Sequence, residues 1–164
     1  MAGNLDDLRN LMLAAAVKIP DQALRIIEVE GKNFINKNFR DQGFTDGSLK
    51  KWQERKTTDS NGRDKMRYRT NRRGSVGELT RFGQKEIGRA ILTGHNTGGN
   101  KLRNSFHTRR EKLAVVFYTY KDYAGYHNEG DGNIPKRQFM GKSAYLDRKI
   151  QDKIKRTLDQ LFRP

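Results

Sequence analysis

The chain has 164 residues and no cysteine, with 34 Lys and Arg against 19 Asp and Glu, for a formal net charge of +15. A pI near 10.2, a mean hydropathy of −0.97 and a hydrophobic fraction of 34% describe one domain with a thin core, which a partner surface can complete. Disulfides, thiolate zinc sites and cysteine nucleophiles are excluded, and the apolar run over 10–17 is too short to span a bilayer and lacks the basic lead of a secretory signal.

Leu5, Leu8, Met12, Ala15 and Ile19 recur at helical spacing, and a second amphipathic run over 21–39 carries Leu24, Ile27, Phe34, Ile35 and Phe39. Pro20 is expected to separate them or to open the second, giving an N-terminal helical segment over 1–19 and one domain over 20–164. Residues 1–49 hold 6 basic and 7 acidic side chains, so the whole positive excess lies further on. It is densest in Lys50, Lys51, Arg55, Lys56, Arg63, Lys65, Arg67, Arg69, Arg72 and Arg73, where only Glu54, Asp59 and Asp64 oppose ten cations. The stretch offers a core little apart from Trp52, so it reads as an extended basic loop over about 50–75, either a polyanion- or partner-binding loop or simply a solvated surface. Trp52 reads equally as a partner anchor and as a cover for the edge of the helical layer.

Over 78–92, Leu79, Phe82, Ile87 and Ile91 fit a helix that Gly83 and Gly88 weaken. Leu102 to Thr108 alternates in polarity, Leu113 to Tyr120 is a β-branched and aromatic run, and Arg110 to Lys112 should turn between them. The second strand is apolar on both faces, as for a strand covered once by helices and once by a neighbouring subunit. Leu146, Ile150, Ile154, Leu158, Leu161 and Phe162 form the stripe of a C-terminal helix with Ser143 as its N-cap. The expected fold is therefore α+β, a short antiparallel sheet packed against a long helix from the N-terminal half and the C-terminal helix.

Catalytic and ligand motifs are thin. Gly94 to Lys101 approaches a phosphate loop, but Asn100 stands where the lysine belongs, and a flexible loop is the better reading. His127, Glu129 and Asp131 are three potential metal ligands within five positions, but Gly130 and Gly132 make a turn the simpler reading. In that turn His127 would hydrogen-bond neighbouring backbone. His95-Asn96 and His127-Asn128 read as coincidences, and His107 as a surface residue beside cations. Tyr118, Tyr120, Tyr123 and Tyr126 lie near Lys121 and could stack on bases, although packing or an interface is the stronger reading for them. No cofactor, no metal and no enzymatic activity are expected.

Tyr123, Ala124, His127 and Gly130, followed by Ile134, Pro135, Arg137, Phe139 and Gly141 and then a helix, resemble the virion morphogenesis and tail-completion family of tailed bacteriophages. Phe34 to Phe39, Gln42, the Asp46-Gly47 turn before Trp52, and the Ile91-Leu92-Thr93, Thr97-Gly98 and Leu102-to-Ser105 pieces extend the likeness over roughly 20–162. Gly99 and Asn100 stand as extra residues, and Gln138 replaces a second proline usual in the family. The resemblance implies a structural protein that completes the tail and joins it to the head. Its implied partners are further copies in a ring, possibly a hexamer, the tail tube or tail terminator, and neck or portal components. Weak contact with packaged DNA is expected, and no membrane. The implied place is the virion neck or tail, after assembly in the host cytoplasm. A non-sequence-specific nucleic-acid-binding module is the alternative, since it explains the charge directly. In either case Gly130 and Gly132 permit a tight turn, Pro135 fixes an extended approach, and Phe139 anchors the chain.

Overall fold

The computed structural model describes residues 5–55, 61, 80–86, 88–93 and 100–161. Its spine is helix α1, Leu5–Asp41, with Pro20 inside it. The break expected at Pro20 is therefore absent. A proline removes one N–H from the ladder and crowds the carbonyl four residues back, but good helix formers such as Ala14 to Ala16 and Ala23 to Arg25 on both sides carry the helix across.

Among the α1 residues whose burial is described, the buried ones form two adjacent rows at i, i+4 spacing, Glu30–Phe34–Asn38 and Gly31–Ile35–Phe39. Hairpin β1–β2 (Gly43–Thr45 and Leu49–Lys51) follows, with Phe44 paired to Lys50 across it. Short helix α2 covers Arg81–Glu86, much less than the helix expected over 78–92, and Gly88 at φ +64 stands beyond its end. Leu102–Asn104 is a 3₁₀ turn rather than strand, and the second hairpin joins β3, Phe106–Arg110, to β4, Val115–Thr119. The expected turn moves onward, closing with Glu111 N–H on the Ala114 carbonyl, and this leaves Leu113 83% exposed instead of in the strand. Helix α3 is Ala124–Glu129, and α4 is Ala144–Leu161. The α+β class stands, with two separate two-stranded antiparallel sheets where one was expected.

The core gathers Ile35, Phe39, Trp52, Ile91, Leu102, Ala124 and Phe139, with Phe106 and Phe117 packed against it. Phe39 stacks on Phe139 at 5.2 Å and meets Trp52 edge-on at 5.4 Å. Gly31 is needed for close approach: a Cβ there would lie 2.1 Å from the tip of the Phe117 ring. Only one face of β4 is covered in this way. Tyr118, on the other face, groups with His107 and Tyr120, and this is the side on which a neighbouring subunit is expected.

Helix α4 lies along α1. Its stripe of Leu146, Ile150, Ile154 and Leu158 is half-buried throughout, with α1 as its main packing partner among the described residues, and none of the described residues of α4 is fully buried. The expected N-cap holds: Ser143 Oγ accepts from Leu146 N–H at 3.2 Å, and Asp46 Oδ1 accepts from Ala144 N–H at 2.8 Å. Behind it, the Glu30 carboxylate is 1% exposed and held by Lys149 at 2.9 Å and by Lys153.

Candidate polyanion-binding face

The segment after α3 belongs to neither sheet, so its backbone groups need partners from side chains. Asn128 Oδ1 accepts from both Phe139 N–H and Met140 N–H at 3.0 Å. From the opposite side Asn38, fully buried on α1, donates to the Phe139 carbonyl at 3.1 Å and accepts from Thr45 N–H at 3.2 Å. Trp52 Nε1 donates to the Gln138 carbonyl at 2.7 Å. Trp52 is thus a core residue that ties two segments together, which decides between the two readings its sequence allowed. Neither asparagine stood out in the sequence as a ligand of backbone. Asn38 left one trace there, a polar residue interrupting the apolar stripe of α1.

The family-like residues build the support for this strap. Gly130, at φ +81, ends α3 where a Cβ would meet Lys136 N at 3.1 Å. Asp131 and Ile134 bond each other's backbone around a tight turn, and Arg137 N–H donates to the His127 carbonyl at 2.7 Å. Pro135 leads in, Phe139 is 2% exposed in the core, Ala124 is buried, and Gly141 sits where the chain turns toward Ser143. Ile134 and Tyr123 remain exposed. His127 lies in α3 rather than in a turn; its ring stands edge-on to Tyr123 at 6.0 Å, and its Nδ1 has no hydrogen-bond partner among the described residues. Burial, and then the Arg137 charge, push its pKa below the ordinary histidine value, so the ring is neutral at pH 7. The backbone bonding expected of the imidazole is made instead by the main chain of the same residue.

Held in this way, the strap lies beside residues 50–55 and brings cations together. A cavity of about 450 Å³ is lined by Lys50, Lys51, Lys136 and Lys142, and the carboxylate there, Asp46, is engaged by the α4 N-terminus. A second cavity, of about 550 Å³, is lined by Arg55 and Arg137 with Gln53, Glu54 and Pro135. Arg137 is buried at 8% exposure, and its Nε donates to the Gln53 carbonyl at 3.2 Å. Burial, and secondarily the Arg55 guanidinium, lower its pKa from the ordinary arginine value.

Of the basic loop expected from the sequence, Lys50 and Lys51 prove to be exposed residues of strand β2, and Arg55 is half-buried with a bond to the Ala90 carbonyl at 3.4 Å. Lys56, Arg63, Lys65, Arg67, Arg69, Arg72 and Arg73 lie outside the described residues. Lys136 and Lys142 join the face unforeseen, because they flank a motif read as purely architectural. Among the described residues, no three His, Asp or Glu side chains come together as a metal site, and no helix is long and apolar enough to cross a membrane. Comparison with protein families, with curated proteins and with solved structures finds no match to the chain.

Proposed function

We infer that this chain is a structural, non-enzymatic protein of a tailed-bacteriophage particle, one that completes the tail and joins it to the DNA-filled head as part of a ring. The observation that carries this reading is how the family-like segment is employed. Its residues pin an extended strap with backbone hydrogen bonds and a buried phenylalanine, and they bring Lys136, Arg137 and Lys142 beside Lys50, Lys51 and Arg55 around two cavities. Such an arrangement suits an assembly surface next to a polyanion. Self-association draws support from Met12, Leu13 and Val17 on α1, which are 63%, 58% and 80% exposed. A ring forms when one such patch meets a different patch on the next copy and the rotation closes. The place of action on this reading is the virion neck. Electron microscopy of particles made without the protein tests it: full heads and finished tails left unjoined are expected, and normal virions would refute it.

The second reading is a nucleic-acid-binding module, favoured by the aromatic group of His107, Tyr118 and Tyr120, with ring centroids 5.5–5.7 Å apart and Tyr120 77% exposed. Size separates the two. A ring-sized species with weak DNA affinity supports the first, and a monomer that binds DNA tightly at physiological salt supports the second.

A further inference from the structure

Two apolar surfaces of the chain stand bare among the described residues. The first is the stretch of α1 over 9–18, where the residues of described burial are exposed apart from the half-buried Ala15. Further along the helix, Ile19 already lines a small cavity with Ile154 and Leu158 of α4. From Met12 to Val17 there is no charged residue, and Met12, Leu13 and Val17 all face solvent. Helical surface of this kind is normally covered in an assembly. The second surface is the outer face of the β3–β4 hairpin. There His107 and Arg109 lie opposite Tyr118 and Val116, and the Tyr120 ring continues the group. The inner face belongs to α1: Phe117 packs on Gly31, and the Thr108 hydroxyl donates to Glu28. An unbroken helix cannot return to a face turned away from it, so the stretch over 9–18 cannot cover the outer face of its own hairpin.

We propose that residues 9–18 of one copy lie across the outer face of the β3–β4 hairpin of the next copy. This rests on the reading that copies of the chain associate in a ring, and it assigns the aromatic group to that interface rather than to bases. The dimensions agree, since ten helical residues span about 15 Å and strands of five residues about 17 Å. Charge favours an apolar occupant over a nucleic-acid strand. The cations that flank the rings are already engaged, Arg109 by Glu111 at 2.8 Å and Lys121 by Asn100, whereas a strand stacked on the rings would need them for its phosphates. A contact of this size buries on the order of 400 Å² per partner, about half of a standard interface. One contact therefore holds a pair weakly. Because the two surfaces differ, each copy can give one and receive the other, and a closed ring gains the contact twice per copy.

The chain has no cysteine, so single thiols can be placed cleanly. Full-length Val17→Cys and Tyr120→Cys chains, mixed and treated with a short bis-maleimide, should give a cross-linked pair, and neither variant alone should. Cross-linking of Val17→Cys to itself with no mixed product would mean that the helices pair with each other, and would overturn the proposal. In sedimentation, Val17→Lys and Tyr120→Lys, both at exposed positions that leave the fold intact, should each weaken self-association about tenfold or more. If the wild type associates and both lysine variants associate equally well, this contact is refuted while the ring reading stands on other surfaces. A wild type that stays monomeric even at millimolar concentration would refute the contact and the ring together. Binding of a single-stranded oligonucleotide should be unchanged by Tyr120→Ala. Affinity lost in that variant with sedimentation unchanged would give the face to bases and overturn the proposal.

Discussion

Asn128 supplies one oxygen to two backbone donors, so its removal leaves both Phe139 N–H and Met140 N–H without a protein acceptor. Asn128→Ala should cost about 2 kcal/mol, since the site is only partly buried and water can replace part of the loss. Denaturant unfolding reads this directly, and a stability equal to wild type would show that the strap is held elsewhere. Glu30 makes a different kind of contribution. Burial pushes its carboxyl pKa up, but Lys153 and Lys149 more than offset this and leave it below the ordinary value of 4.5. A depressed folded value stabilises the protein above the unfolded pKa, and this stabilisation is lost as pH falls through the folded value. Glu30→Gln should therefore destabilise at pH 7 and converge with wild type in acid. The gap should be about 1–2 kcal/mol, small for a buried carboxylate because the lysines are 42% and 47% exposed. A gap independent of pH would assign the effect to packing. None of these roles was visible in the sequence, because each depends on partners between 11 and 123 residues away.

Elements were more legible than residues where their periods were long. The stripes of α1 and α4 span several turns, so helical spacing alone located both, and Ser143 marked the start of α4. β1 and β2 have three residues each, too few to show alternation, and the strap from Pro135 to Met140 has no period at all because most of its hydrogen bonds go to side chains rather than to a neighbouring strand. Leu102 and Leu113 alternated convincingly with their neighbours, yet they became a 3₁₀ turn and a hairpin loop. Pro20 reads as a boundary in the sequence, but it lies inside α1. Since the helix passes through it at an exposed position, Pro20→Ala should add on the order of 1–3 kcal/mol of local helix stability. Hydrogen exchange across 12–20 would slow accordingly, and unchanged protection would argue that the two halves of α1 are not one cooperative helix.

At the scale of the whole molecule, the excess of cations follows residue 49. Exposed apolar residues lie on both sides of that boundary, Met12, Leu13 and Val17 near the start of α1 and Leu113, Tyr120 and Tyr126 beyond it. On the proposed reading the α1 group is one region, which meets further copies, and the basic stretch a second, which meets a polyanion. The basic character of the second region was plain from composition. Its described centre was not, because the strap that brings Lys136, Arg137 and Lys142 to Lys50 and Arg55 is placed by side-chain bonds that composition does not encode. The central claim is that this region engages phosphates without reading sequence. The most direct test is the affinity of the intact chain for duplex DNA as a function of salt, for two unrelated sequences. Engagement of four phosphates predicts a slope of log affinity against log salt near −3.6. The slope should be the same for both sequences and flatter when Arg67, Arg69, Arg72 and Arg73 are changed to Ser. A slope near zero, or one that the four substitutions leave unchanged together with wild-type assembly into particles, would contradict it.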